Sequence, residues 1–173
     1  MCGICGGVYT DPGKGDSSLL KKANDLLAHR GPDDEGSFTD AHAGIAMRRL
    51  AIIDLKTGHQ PMSSRDGSLH LVFNGEIYNF QELRSGLESD GVAFRTDSDT
   101  EVILALYERE GKDCVRKLRG MFAFALWDSR KKRLFVARDR IGKKPLVYAQ
   151  GNGFFAFASE LRSLLVWPGV ERA

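Results

Sequence analysis

The sequence predicts an α+β fold in which mainly antiparallel sheets are stacked and flanked by helices. Three features carry the prediction: segments with helical apolar spacing, short segments of strand composition, and brief turns between consecutive strands. A parallel crossover needs a dozen or more residues and usually a helix, so turns of a few residues favour antiparallel neighbours. A chain of 173 residues with ordinary apolar content closes one sizeable core, so a single globular domain over 1–173 is expected.

Asp16 or Ser17 can cap a first helix whose Leu19, Leu20, Ala23, Leu26 and Leu27 fall on one face, ending near Gly31-Pro32. A second helix starts at Asn79, where Asn79 and Glu82 are spaced as a capping box and Phe80, Leu83 and Leu87 form a stripe that stops before Gly91. A third starts at Ser98, with Glu101 in the matching position and Val102, Ile103, Leu106 and Tyr107 along it, and stops at Gly111. Strands are expected over Ile45–Ile53, Leu69–Phe73, Met121–Trp127, Arg133–Ala137, Leu146–Ala149 and Phe154–Ala158, all rich in β-branched, aromatic or small apolar residues. Asp66-Gly67, Asp128 to Lys132 and Gly151 to Gly153 supply turns between them. Met121-Phe-Ala-Phe-Ala-Leu-Trp127 is apolar on both faces, as suits a strand covered on both sides. The final Trp167-Pro-Gly-Val-Glu-Arg-Ala173 holds no obvious terminating element and reads as the end of a fragment.

Positive and negative side chains are interspersed and leave a formal net charge of only +2. No basic arm or acidic tail argues for nucleic acid or a membrane surface as a partner. Apolar runs such as Phe154 to Ala158 fall far short of the roughly 20 residues that span a bilayer, and no signal-peptide core opens the chain, so a cytoplasmic protein is expected. Three cysteines are an odd number, and two of them sit close together at the N-terminus, which argues against a disulfide framework.

Cys2 is small enough for an aminopeptidase to remove Met1, leaving one residue with both a thiol and a free α-amine. A thiol of ordinary pKa about 8.5 needs help to ionise at neutral pH, and an α-amine of pKa about 7.7 to 8.0 can take its proton. One residue would then supply nucleophile and base. Taken alone, a cysteine at this position reads first as an incidental buried thiol. Cys2 and Cys5 also form a C-x-x-C, but the motif opens the chain among Gly3, Gly6 and Gly7 instead of following a strand. A structural zinc would need two further ligands, and neither Cys114 nor His29, His42, His59 and His70 show ligand spacing. Cys5 and Cys114 read as core residues.

Asn74-Gly75 follows the expected strand Leu69–Phe73, where Asn-Gly ordinarily marks a tight hairpin. Only Glu76, Ile77 and Tyr78 separate it from the helix start at Asn79, too few for a returning strand. An Asn amide and a Gly backbone N–H at a strand end would instead provide two fixed donors for an oxyanion formed when a thiolate attacks an amide. Arg48 and Arg49 must point to opposite sides of a strand. Either reads as a solvated strand charge or as a bidentate clamp on a carboxylate. Asp99 at a helix start is explained by the dipole and capping, and could equally bind an ammonium group.

These residues belong to a larger set: Met1-Cys-Gly-Ile-Cys-Gly6, His29-Arg-Gly-Pro-Asp-Asp-Glu-Gly36, Arg49-Leu-Ala-Ile-Ile-Asp54, Asn74-Gly-Glu-Ile-Tyr-Asn79, Ser98-Asp-Thr-Glu-Val102, Arg119-Gly-Met-Phe-Ala-Phe-Ala-Leu-Trp-Asp128 and Ala137-Arg-Asp-Arg-Ile-Gly-Lys-Lys-Pro-Leu146. Over nearly its whole length the chain resembles class II glutamine amidotransferases with an N-terminal nucleophile, specifically the glutaminase domain of asparagine-synthetase-like enzymes. The resemblance implies a four-layer αββα N-terminal-nucleophile hydrolase sandwich with the active site between its sheets. It implies Cys2 as nucleophile, its α-amine as base and acid, and Asn74 with Gly75 as the oxyanion hole. Arg49 would bind the α-carboxylate of L-glutamine, Glu76 and Asp99 its α-ammonium, and Ile53 would help through its backbone. The glutaminase step would need no metal or organic cofactor. Mg-ATP would belong to a downstream synthetase domain, an expected partner that this chain does not include. A homodimer is compatible with the resemblance. The chain departs from the family's common pattern at Met47, where His precedes Arg-Arg-Leu, and at Val147, where a Tyr-Tyr pair follows Pro-Leu.

Overall fold

The computed structural model describes residues 1–13, 16–50 and 58–170. Among them, β1 (Gly3–Tyr9), β2 (Asp34–Thr39), β3 (Ala43–Arg49), β8 (Val147–Gly151) and β9 (Phe154–Ala158) form one sheet in the order β2-β3-β1-β9-β8. A second sheet has the order β4-β5-β6-β7, from β4 (Met62–Ser63), β5 (Leu69–Ile77), β6 (Gly120–Asp128) and β7 (Arg133–Arg138). Every described pairing is antiparallel; short turns require this of β2–β3, β4–β5, β6–β7 and β8–β9, while β1–β3, β1–β9 and β5–β6 pair across longer connections. The turns at Gly67, Lys132 and Gly153 each place a residue at positive φ, of 70°, 48° and 79°.

Helix α1 (Ser17–Asp25) and the short α4 (Leu161–Leu164) cover the first sheet; α2 (Phe80–Ser89) and α3 (Asp99–Glu110) cover the second. The layers are read most directly from β6. Its large Phe122, Phe124 and Leu126 point outward into a cluster with Val102, Ile103 and Leu106 of α3, while Ala123, Ala125 and Trp127 face the other sheet. Between the sheets these meet Ile4, Ile45, Met47, Val72 and Phe157. Large residues thus fill the sheet–helix space, and two alanines let the sheets approach. Full burial of each large side chain contributes about 1.5 to 3 kcal/mol.

Strand β1 was not among the expected strands, because three glycines in seven residues weaken strand propensity. Packing reverses that. A Cβ on Gly3 would lie 2.8 Å from Leu27 Cβ, on Gly6 2.5 Å from the Gly44 carbonyl oxygen, and on Gly7 2.9 Å from Trp167 Nε1. The glycines let β1 run through the centre of its sheet beneath α1 and the C-terminal segment. Polar β2 and two-residue β4 lie at sheet edges and carry too little apolar signal to be read from sequence.

The helix starts also differ in detail. Asp16 caps α1 through Ser18 N–H (2.8 Å), and Ser98 caps α3 through Thr100 N–H (3.2 Å). Glu101 does not close a box on Ser98; it accepts the N–H groups of Arg95 and Thr96 from the preceding loop. Asn79 occupies the cap position of α2, but its side chain joins the Lys117 carbonyl (3.0 Å) and the Arg119 N–H (2.9 Å). It anchors the entry to β6 instead of the helix.

Candidate active site

Cys2 immediately precedes β1, and Gly3 pairs with Arg48 of β3. The register therefore brings Cys2 beside the end of β3, where Leu50 N–H lies 3.4 Å from Cys2 Sγ and Sγ lies 3.6 Å from the Leu50 carbonyl oxygen. Arg30 fixes the other side. Its Nε donates to the Cys2 carbonyl (3.0 Å) and its Nη1 to Glu160 (2.9 Å), while Ser159 exchanges hydrogen bonds with Ile4. Gly31 makes this possible, since a Cβ there would fall 2.4 Å from the Arg48 backbone. Cys5 sits on the opposite face of β1, fully buried against Ala23, Leu27 and Ala156. Burial pushes its thiol up to about 12 and that of Cys114 up to about 11. Cys2 and Cys5 thus point into different layers and do not act as a pair.

Cys2 opens into a cleft lined also by Arg49, Asn74, Gly75, Glu76 and Asp99. Six of the seven site residues expected from the sequence therefore share one cavity; the seventh, Ile53, lies outside the described residues. Asn74-Gly75 is neither turn nor strand end. Strand β5 continues through it to Ile77, with Asn74 opposite Ala123 and Gly75 opposite Phe122. A Cβ on Gly75 would lie 2.3 Å from the Met121 carbonyl oxygen, so glycine is required there by the neighbouring strand. Asn74 is 1% exposed, and its Nδ2 has no hydrogen-bond partner among the described residues. Leaving a buried donor unmatched costs about 1 to 3 kcal/mol, which marks the group as one that awaits an acceptor.

The two arginines separate as strand alternation demands. Arg48 turns to the α1 side, pairing with Glu35 (2.6 Å) and Asp25, while Arg49 is buried and lines the cleft. Asp99, in the first turn of α3, accepts Ile77 N–H at 3.0 Å. Burial is the main cause that lifts its carboxyl from 3.8 to about 6, and nearby Glu76 adds to the rise against the pull of backbone donors. The cleft also includes buried Lys144, held on the β7–β8 connection by Asp139, which accepts the N–H groups of Lys143, Lys144 and Phe122. The cleft thus gathers two cations, Arg49 and Lys144, two carboxylates, Glu76 and Asp99, and the Cys2 thiol. Met47 and Val147, the two departures from the family pattern, pack in the core between the sheets and beneath α4, and neither lines the cleft. Among the described residues no group of three or more His, Cys, Asp or Glu side chains could hold a metal ion, and no helix is long and apolar enough to cross a membrane.

Sequence reasoning missed Arg30, Gln60, Lys144 and the Leu50 backbone. Arg30, Leu50 and Lys144 stood within recognised motifs with no role assigned, and Gln60 is a buried polar residue in a segment without periodicity. Only their tertiary neighbours reveal them.

Two antiparallel sheets between helical layers, with a cysteine at position 2 opening into a cleft between them, define the N-terminal-nucleophile hydrolase class of fold. Among solved structures, the glutamine phosphoribosylpyrophosphate amidotransferase from B. subtilis matches with a TM-score of 0.78 and 25% identity, over 95% of this chain and 43% of that one. A structure of the allosteric regulatory enzyme of purine biosynthesis matches with a TM-score of 0.63 and 27% identity, over 94% of this chain and 37% of that one. The family described as "Glutamine amidotransferase domain" matches residues 1–173, and the chain belongs to it. Asparagine synthetase [glutamine-hydrolyzing] 1 of Bacillus subtilis is 47% identical over 169 residues, covering 96% of this chain. Asparagine synthetase [glutamine-hydrolyzing] 2 of the same organism is 42% identical over 175 residues, covering 99%. The chain spans only 27% and 23% of the length of these two relatives.

Proposed function

We propose that the chain is a glutaminase domain that hydrolyses the side-chain amide of L-glutamine and supplies ammonia to an ATP-dependent, asparagine-synthetase-like domain. The observation that carries this reading is the unpartnered Asn74 Nδ2 buried in the same cleft as the Cys2 thiol. Removal of Met1, which is 57% exposed, frees the α-amine of Cys2. That amine takes the thiol proton, and the thiolate attacks the glutamine Cδ. Asn74 Nδ2 and Gly75 N–H stabilise the oxyanion. Collapse breaks the Cδ–N bond, the leaving nitrogen takes the proton back, and ammonia departs from a γ-glutamyl thioester. Water, deprotonated by the same amine, then breaks the C–S bond to give glutamate. Arg49 holds the α-carboxylate, Glu76 and Asp99 hold the α-ammonium, and Ile53 contributes backbone contacts. This step uses no cofactor; Mg-ATP and the acceptor carboxylate belong to the synthetase domain.

The test combines intact mass with turnover. Protein lacking Met1 should release glutamate from glutamine and gain one adduct at Cys2 from an electrophilic diazo-ketone analogue of glutamine. Bound glutamine with neither turnover nor adduct would instead identify a catalytically silent glutamine-binding domain.

A further inference from the structure

Gln60 is 5% exposed, lines the cleft, and spends both ends of its amide on the elements that carry the site. Its Oε1 accepts the N–H of Phe73 at 2.7 Å, immediately before Asn74. Strand β4 pairs with β5 at Leu71 and His70, so beyond that point Gln60 serves as the edge partner of β5. Its Nε2 donates to Thr100 Oγ1 at 3.3 Å, immediately after Asp99. Its backbone rests on the other sheet: a Cβ on Gly36 of β2 would lie 2.0 Å from the Gln60 carbonyl oxygen, and neighbouring His59 Nδ1 lies 2.8 Å from Asp34 Oδ2. One residue therefore ties together the sheet that carries Cys2, the strand that carries Asn74, and the helix that carries Asp99.

We infer that Gln60 is a positioning residue that sets the spacing between the oxyanion donor and the ammonium-binding carboxylate, and so matches the cleft to the chain length of glutamine. This rests on the glutaminase reading. The amide and the α-ammonium of glutamine must be gripped together, so the strand and the helix have to be held at one separation. Apart from apolar packing, the bond from Ile77 N–H to Asp99 Oδ2 ties β5 to α3 beyond Gly75. The Gln60 amide supplies a second tie on the other side of Asn74, from Phe73 to Thr100, so the strand is fixed to the helix at two points. A misplacement of about 1 Å in such a frame can lower a rate about 10²-fold.

The experiment compares two alkylations of Cys2 in full-length protein lacking Met1. The diazo-ketone glutamine analogue depends on both the thiol and the ammonium anchor; iodoacetamide depends on the thiol alone. In Gln60→Met, which keeps the length but loses both hydrogen bonds, the analogue should react at least about tenfold more slowly, with iodoacetamide within about twofold of the parent. KM for glutamine should rise in parallel. Equal losses with both reagents would reduce Gln60 to a purely structural role and overturn the inference, as would unchanged rates. Should Gln60→Met fail to fold, Thr100→Val carries the same test, since it cuts only the link to α3 and leaves the Ser98 cap in place. A parent protein that neither turns over glutamine nor accepts the analogue would refute the glutaminase reading itself, independently of either variant.

Discussion

Replacing Asp99 by Asn should make the protein more stable and a worse glutamine binder. Burial raises the Asp99 carboxyl from 3.8 to about 6, so at neutral pH the folded chain holds an ionised group in a place that disfavours it. At 1.36 kcal/mol per power of ten in acidity, the penalty is about 2 to 3 kcal/mol. The folded-state pKa lies above the unfolded one, so this destabilisation is absent below about pH 4, grows as pH rises toward 6, and is complete above it. Asn does not titrate, and its Oδ1 can still accept Ile77 N–H, the bond that ties β5 to α3. At pH 7.5, Asp99→Asn should therefore be about 2 kcal/mol more stable, which raises the Tm of a chain this size by about 4 to 8 °C. The advantage should vanish near pH 4. Thermal unfolding of parent and variant across this range, with KM for glutamine, checks both halves. A variant that gains no stability at pH 7.5, or a gain that persists unchanged at pH 4, would refute the burial argument; an unchanged KM would refute the assignment of Asp99 to the ammonium.

The same carboxyl must be charged to attract an ammonium group, so kcat/KM for glutamine should fall as pH drops below about 6, and this acid limb should disappear in Asp99→Asn. Asn74→Ala should lower kcat by about 10² to 10³ with far less change in KM, as the loss of one oxyanion donor does; a parental kcat would exclude that role. Limiting iodoacetamide on native protein should add one increment at Cys2 only, because Cys5 and Cys114 are fully buried with thiols pushed to about 12 and about 11; peptide mapping that found either modified before unfolding would contradict this. Gly75→Ala should destabilise the fold by about 1 to 3 kcal/mol, since its Cβ has no space against the β6 backbone, and a denaturant midpoint equal to that of the parent would count against the strand register.

Local pattern was enough to locate α1, α2 and α3, the three turns that close hairpins, and the two-faced apolar strand that became β6. Each is decided by residues within about ten positions of one another, through caps, glycine conformations and side-chain periodicity. The same is true of Arg48 and Arg49, whose divergence follows from strand alternation alone. Motif order along the chain was enough for the family and for picking out the six residues, Cys2 among them, that line one cleft. Other features were beyond local reading because their causes are distant in sequence. Strand β1 looks too rich in glycine until Leu27, Phe157 and Trp167 are placed against it. Asn74-Gly75 reads as a strand end until Ala123 and Phe122 pair with it inside β5. Arg30 acquires a role when its guanidinium reaches the Cys2 carbonyl, and Gln60 when its amide meets Phe73 and Thr100. Hydrogen-bond partners of buried polar groups are set by how the layers stack, and a linear pattern contains no record of which donor will be left over. Local sequence offered the Asn74 amide as an oxyanion donor; packing shows that its Nδ2 has no partner among the described residues and lies at the cleft.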